Sequence, residues 1–109
     1  MAYDEGLAQR IRETLGDRPG LEEKKMFGGV GFMLYGNMAC GVNKEDLIVR
    51  VGPEKYEDAV IRPHARPFDF TGRPMKGWVM VGPEGYASEE GLQGWVAEGV
   101  EFALSLPRK

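Results

Sequence analysis

The chain has 109 residues and a mass of 12.1 kDa, the length of one ordinary domain. A chain of this size buries roughly 65% of its unfolded surface, and a composition 42% apolar and 28% charged excludes disorder. A net charge of −3 weighs against a surface that grips nucleic acid throughout. At the start, Tyr3, Leu7, Ile11 and Leu15 recur every four residues beside Ala8, the stripe of an amphipathic helix. Asp4 and Glu5 suit its first turn, Gly16 suits a left-handed cap, and Pro19-Gly20 closes the segment.

The period then changes from four to two. Phe32 and Leu34 alternate with Met33 and Tyr35, Gly36-Asn37 signals a turn, and Met38, Cys40 and Val42 share one face. Residues 43–46 are polar turn material, and Leu47, Val49 and Val51 form a third alternating set. This predicts an antiparallel meander of three short strands. Gly28, Gly29 and Gly31 are expected to mark a bulge or tight bend. Gly52-Pro53 ends the meander, and Pro53 can open a short helix with Tyr56, Ala59 and Val60 inward. Phe68 and Phe70, the turn at residues 71–73 and the run 78–81 then predict a hairpin. Ser88 is expected to cap a last helix carrying Glu89 and Glu90 in its first turn and stopping at Pro107. Its inner face is Leu92, Trp95, Val96, Gly99, Phe102, Ala103 and Leu106. The order α-β-β-β-α-β-β-α, without βαβ spacing, implies one α+β domain over residues 1–109, a meander plus a hairpin packed with three helices.

Several kinds of chemistry are disfavoured. The longest uncharged stretch, residues 26–43, is interrupted by five glycines and no membrane span is expected. The first ten residues lack the basic and apolar regions of a signal peptide, and a single cysteine suits the cytoplasm. The run MFGGVGF lacks the spacing of a dinucleotide fingerprint and the Gly-Lys of a phosphate loop, and it leads into a strand. Cys40 reads as a packed apolar residue, since no histidine lies near it in sequence. His64 is the only histidine, so no metal site and no cofactor is expected.

Charge is unevenly spread. Residues 50–76 carry six cations against four acids, a net +2, between segments of net −2 and −3. Any binding surface is therefore expected around Arg50, Arg62, Arg66, Arg73 and Lys76, on loops stiffened by Pro63, Pro67 and Pro74. The competing reading is that Glu54, Glu57, Asp58 and the acidic last helix neutralise these charges within the fold.

Together, residues 25–32 (KMFGGVGF), 36–38 (GNM), 46–51 (DLIVRV), 70–78 (FTGRPMKGW) and the Trp95 helix resemble the N-terminal domain of the TfoX/Sxy family. The motif residues that carry the likeness are Met26, Phe27, Gly28, Gly29, Gly31, Gly72 and Trp78, and it runs from about Leu21 to Leu106. The resemblance implies an α+β domain and a role in switching on competence genes. Members act as co-activators with the cyclic-AMP receptor protein, and the family supplies no catalytic set. Full-length competence regulators also carry a C-terminal domain resembling helix-hairpin-helix modules, which the likeness here does not include. The expectation is a cytoplasmic, non-enzymatic protein-interaction module in transcription regulation. It would have a protein partner, no specific DNA binding by this chain alone, no membrane association, and a monomeric or homodimeric state. The alternative is a small ligand-binding protein or enzyme using a basic cleft near His64, Arg66 and Arg73.

Overall fold

A computed structural model of the chain describes residues 3–26, 28–69 and 75–108, together with the backbone but not the side chain of Met26. Phe27, Phe70, Gly72 and Arg73, all named above, lie outside the described residues. The elements in chain order are α1 (Glu5–Leu15), β1 (Leu21–Met26), β2 (Gly29–Leu34), β3 (Asn37–Asn43) and β4 (Asp46–Arg50). They are followed by α2 (Tyr56–Val60), β5 (Ala65–Pro67), β6 (Trp78–Val81), α3 (Pro83–Tyr86) and α4 (Glu89–Ser105). All six strands join one sheet in the order β1-β2-β3-β4-β6-β5, and every pairing is antiparallel. The α+β class stands as expected.

Two elements join those the sequence suggested. β1 (LEEKKM) carries four consecutive charges and no apolar alternation, so it gives no buried-strand signal. It forms because it lies at the sheet edge, where its charges meet water while its backbone pairs with β2. The meander is therefore four strands long. α3 is a single turn opened by Pro83, too short for a periodic pattern. Of the hairpin expected from Phe68 and Phe70, the described residues show Ala65–Pro67 paired with β6 and Phe68, next in the chain, packed in the smaller apolar cluster. Tyr3 precedes α1 and bridges to Lys44, since the Asp4 carboxylate accepts from the Leu7 N–H (3.1 Å) and starts the helix at Glu5. The Ser88 cap forms as expected, its hydroxyl accepting from the Gly91 N–H at 3.0 Å.

The glycine run acts as a hairpin turn between two strands and not as a bend within one. Gly28 has φ +74°, a conformation open to glycine without strain, and it connects Met26 to Gly29, the last pair of the β1–β2 ladder. The bulge is elsewhere. The β2–β3 register shifts between Phe32 and Met33, leaving Ala39 as the extra residue.

Register assigns the two faces. Phe32, Cys40, Val42, Leu47, Val49, Val79 and Val81 share one face, and they pack with Leu7, Ile11, Leu92, Trp95 and Val96 into the main core. Residues of all four helices belong to this cluster or lean on it. The opposite face carries Met33, Met38, Ile48, Trp78 and Met80, and with Phe68 these form a second, smaller cluster that contains no helix residue. Among the described residues, the fold has a helical layer on one side only. The chain end is tied back by Asn37, whose amide donates to the Pro107 carbonyl at 2.9 Å, and by Arg108 stacked over Tyr35.

Candidate functional site: the helix-free face of the sheet

Of the five cations singled out from sequence, the four described ones, Arg50, Arg62, Arg66 and Lys76, differ in their partners. Arg62 turns toward the helical layer, makes a two-pronged ion pair with Glu98 of α4 and lies over the Trp95 ring, 4.9 Å from its centroid. The bonds to Glu98 raise its pKa further, so it stays charged and is engaged in holding α2 to α4. Arg66 bonds Asp46 at 2.6 Å across the sheet end. Both are thus committed within the fold, Arg62 to the acidic last helix and Arg66 to an acid of β4. Arg73 lies outside the described residues.

Arg50 and Lys76 differ. Arg50 has no carboxylate partner among the described residues, and its guanidinium lies between Trp78 (5.1 Å) and Phe102 (5.2 Å). Desolvation between those rings lowers its pKa, a cost that aromatic stacking offsets in part. Lys76 is exposed in the turn before β6, also without an ion-pair partner among the described residues. Arg50 pairs with Trp78 in the β4–β6 ladder, and Lys76 follows Met75, which lines the apolar cavity of the helix-free face.

That face is the largest feature the sequence reading missed. Met33, Trp78 and Met80 are half-buried, and Met75 beside them is 37% exposed. Met38, Ile48, Phe68, Met75 and Trp78 line an apolar cavity of about 150 Å³. Beside it Gly31 and Gly41 oppose each other in the β2–β3 ladder, and the Met38 side chain lies over Gly41. Phe68 is held over the cavity by backbone bonds at both ends of the loop, Phe68 N–H to Trp78 O and Met75 N–H to Phe68 O. A signal was present in the alternation of Met33, Ile48, Trp78 and Met80 with the core residues. It was masked because apolar residues on both faces look like a fully buried strand.

A cleft does occur beside His64 and Arg66, closed by Pro83 and Glu84, with a volume of about 280 Å³. His64 sits there at φ +68° with an exposed side chain. Among the described residues, no three His, Cys, Asp or Glu side chains come close enough to hold a metal ion. No helix among them is long and apolar enough to cross a membrane.

Cys40 lies on the main-core face, opposite Phe32 and Val49, with no exposed surface. Burial pushes its thiol pKa up to about 12, so almost no thiolate forms at neutral pH. A thiol probe is expected to label Cys40 at least ~1000-fold more slowly in the native protein than in denaturant, reflecting an opening cost of several kcal/mol. Cys40→Ser is expected to lower stability by about 1–3 kcal/mol, since a hydroxyl is buried there without a partner. Rapid native labelling at pH 7 would contradict the packed position.

A single antiparallel sheet layered on one side by helices, with a methionine-rich opposite face, defines a small α+β domain. The match that identifies it is to the TfoX N-terminal domain family, over residues 13–103. The chain belongs to that family. Neither curated proteins nor solved structures provide a further match.

Proposed function

We propose that this TfoX-like module is a non-enzymatic protein-interaction domain of the cytoplasm that acts in transcription regulation, with the helix-free face of the sheet as its contact surface. The observation that carries this reading is the half-exposed set Met33, Met75, Trp78 and Met80 together with Arg50 and Lys76, two cations that have no ion-pair partner among the described residues. Methionine side chains adapt to irregular apolar partners, and tryptophan and arginine are the residues most enriched where binding energy concentrates. The matching partner is a protein presenting an apolar segment flanked by acids. Duplex DNA is not the direct ligand of this chain in this reading.

Photo-crosslinking tests it. A photoreactive residue replaces Met80 on the helix-free face or, as control, Gln93 on the exposed side of α4. Captured proteins from native lysate are then identified by mass spectrometry. The expected result is a transcription factor or polymerase-associated protein captured from position 80, not from 93, and lost in a Lys76→Glu background. Capture that is equal at both positions, or absent at position 80, would overturn the assignment.

A further inference from the structure

The two edges of the sheet are built differently. β5 is three residues long and ends in Pro67, which has no N–H to offer a neighbour. β1 is six residues long, and among the described residues β2 is its only neighbour in the sheet. Glu22, Glu23, Lys24 and Lys25 are all exposed along it. Charge on an edge strand ordinarily discourages pairing. Here the signs are arranged so that the strand complements itself.

We propose that β1 pairs antiparallel with β1 of a second copy of this chain, joining two six-stranded sheets into one across a two-fold axis at Glu23. Residues facing each other across an antiparallel pair project to the same side, so a two-fold axis normal to the sheet must pass through a residue position. The ladder with β2 places Glu22 and Lys24 on the helix-free side, opposite Met33 and Gly31, and Glu23 and Lys25 on the helical side, opposite Phe32 and Val30. An axis at Glu23 sets Glu22 against Lys24 of the partner copy, twice by symmetry. It also brings the two copies of Glu23 together on the helical side. That repulsion is already answered within each copy, because Arg12 of α1 grips Glu23 through two bonds of 2.7 Å. The competing axis at Lys24 would set Glu23 against Lys25 of the partner copy, also twice, but that carboxylate is already held by Arg12. It would oppose two lysines for which no acidic partner occurs among the described residues, and would set Glu22 against Met26. Each axis gains two opposite-charge contacts, and the lysine pair left without an acid is what disfavours the axis at Lys24. A six-residue edge contact is small, so the association is weak, in the range of transient interfaces.

Charge reversal decides the matter by sedimentation velocity. The wild-type chain is expected to shift from a mass of 12.1 kDa toward twice that mass between ~10 μM and ~1 mM, the range suited to a small interface. Glu22→Lys alone and Lys24→Glu alone each set like charges across the seam, and each should weaken self-association at least ~10-fold. The double variant restores opposite charges and should restore dimerisation, and an equimolar mixture of the two single variants should form the mixed dimer. Glu22 and Lys24 are exposed, so circular dichroism melts of all variants should match wild type. Oxidation should crosslink Glu23→Cys to itself and leave Lys24→Cys monomeric, since only the axis position brings like residues within disulfide reach. Monomer throughout the range would overturn the proposal. So would self-association indifferent to both reversals, or crosslinking at position 24 in place of 23.

Discussion

Gly99→Ala is expected to lower the melting temperature by roughly 12–24 °C, corresponding to a loss of about 3 kcal/mol in a domain of this size. Gly99 lies where α4 crosses the sheet, and a Cβ there would overlap the Ala39 carbonyl oxygen and stand 3.0 Å from the Ala39 carbonyl carbon. Both are backbone atoms, so no flexible side chain can move aside. Relief requires α4 to lift away from β3, opening the packing of Trp95, Val96 and Ala103 against the sheet. Such a loss is a large share of the few kcal/mol by which domains are stable. Gly94, in the same helix, is the internal control. It is exposed, nothing lies within 4 Å of an added Cβ, and Gly94→Ala should raise stability by about 0.5–1 kcal/mol through helix propensity. Chemical denaturation of the pair should move the two midpoints in opposite directions. If Gly99→Ala melts with wild type, the close crossing of α4 over Ala39 is wrong.

Gly29→Ala is expected to be nearly as damaging, at about 2–3 kcal/mol, and for a different reason than its neighbour. An added Cβ at Gly29 would run into the Val42 carbonyl oxygen of β3, with Val42 C at 3.0 Å and Asn43 Cα at 3.2 Å. Escaping that overlap means breaking the β2–β3 ladder where Val30 faces Val42. Gly28, one residue earlier, has open space around it and only its positive φ to protect. Gly28→Ala should therefore cost about 1–2 kcal/mol, the scale of one residue held in the left-handed region, and Gly28→Asn less. Urea unfolding of the three variants should rank Gly29→Ala as the least stable. Equal losses at both positions would mean that backbone conformation alone explains the glycine run.

Much of the fold was legible in the sequence because its local signals agree. The spacing of Leu7, Ile11 and Leu15 is helical, the caps Asp4 and Ser88 stand where first turns need acceptors, and Val42, Leu47, Val49 and Val51 alternate toward one core. The family likeness rests on glycines and aromatics whose roles are packing roles. The candidate site was legible only in part. Counting cations along residues 50–76 weighted the five candidates alike, whereas partners decide which remain available. Glu98 lies 36 residues from Arg62 and Asp46 lies 20 from Arg66, separations at which sequence carries no pairing information. Arg50 was in the predicted set for its charge, but its distinction is the pair of rings that hold it.

What the amino-acid sequence by itself determined is therefore the α+β class, the periodic elements and the family, since each follows from spacing within a dozen residues. What only the tertiary structure decided is which surfaces are left over. β1 became a strand despite a charged, non-alternating sequence, because an edge needs one backbone neighbour and no buried face. The bulge fell at Ala39, where α4 approaches at Gly99, and not at the glycine run. The helices gathered on one side, leaving Met33, Trp78 and Met80 half-covered on the other. A strand apolar on both sides looks the same in sequence whether one side or two are covered, because periodicity records which residues can be buried and the assembled layers settle which of them are.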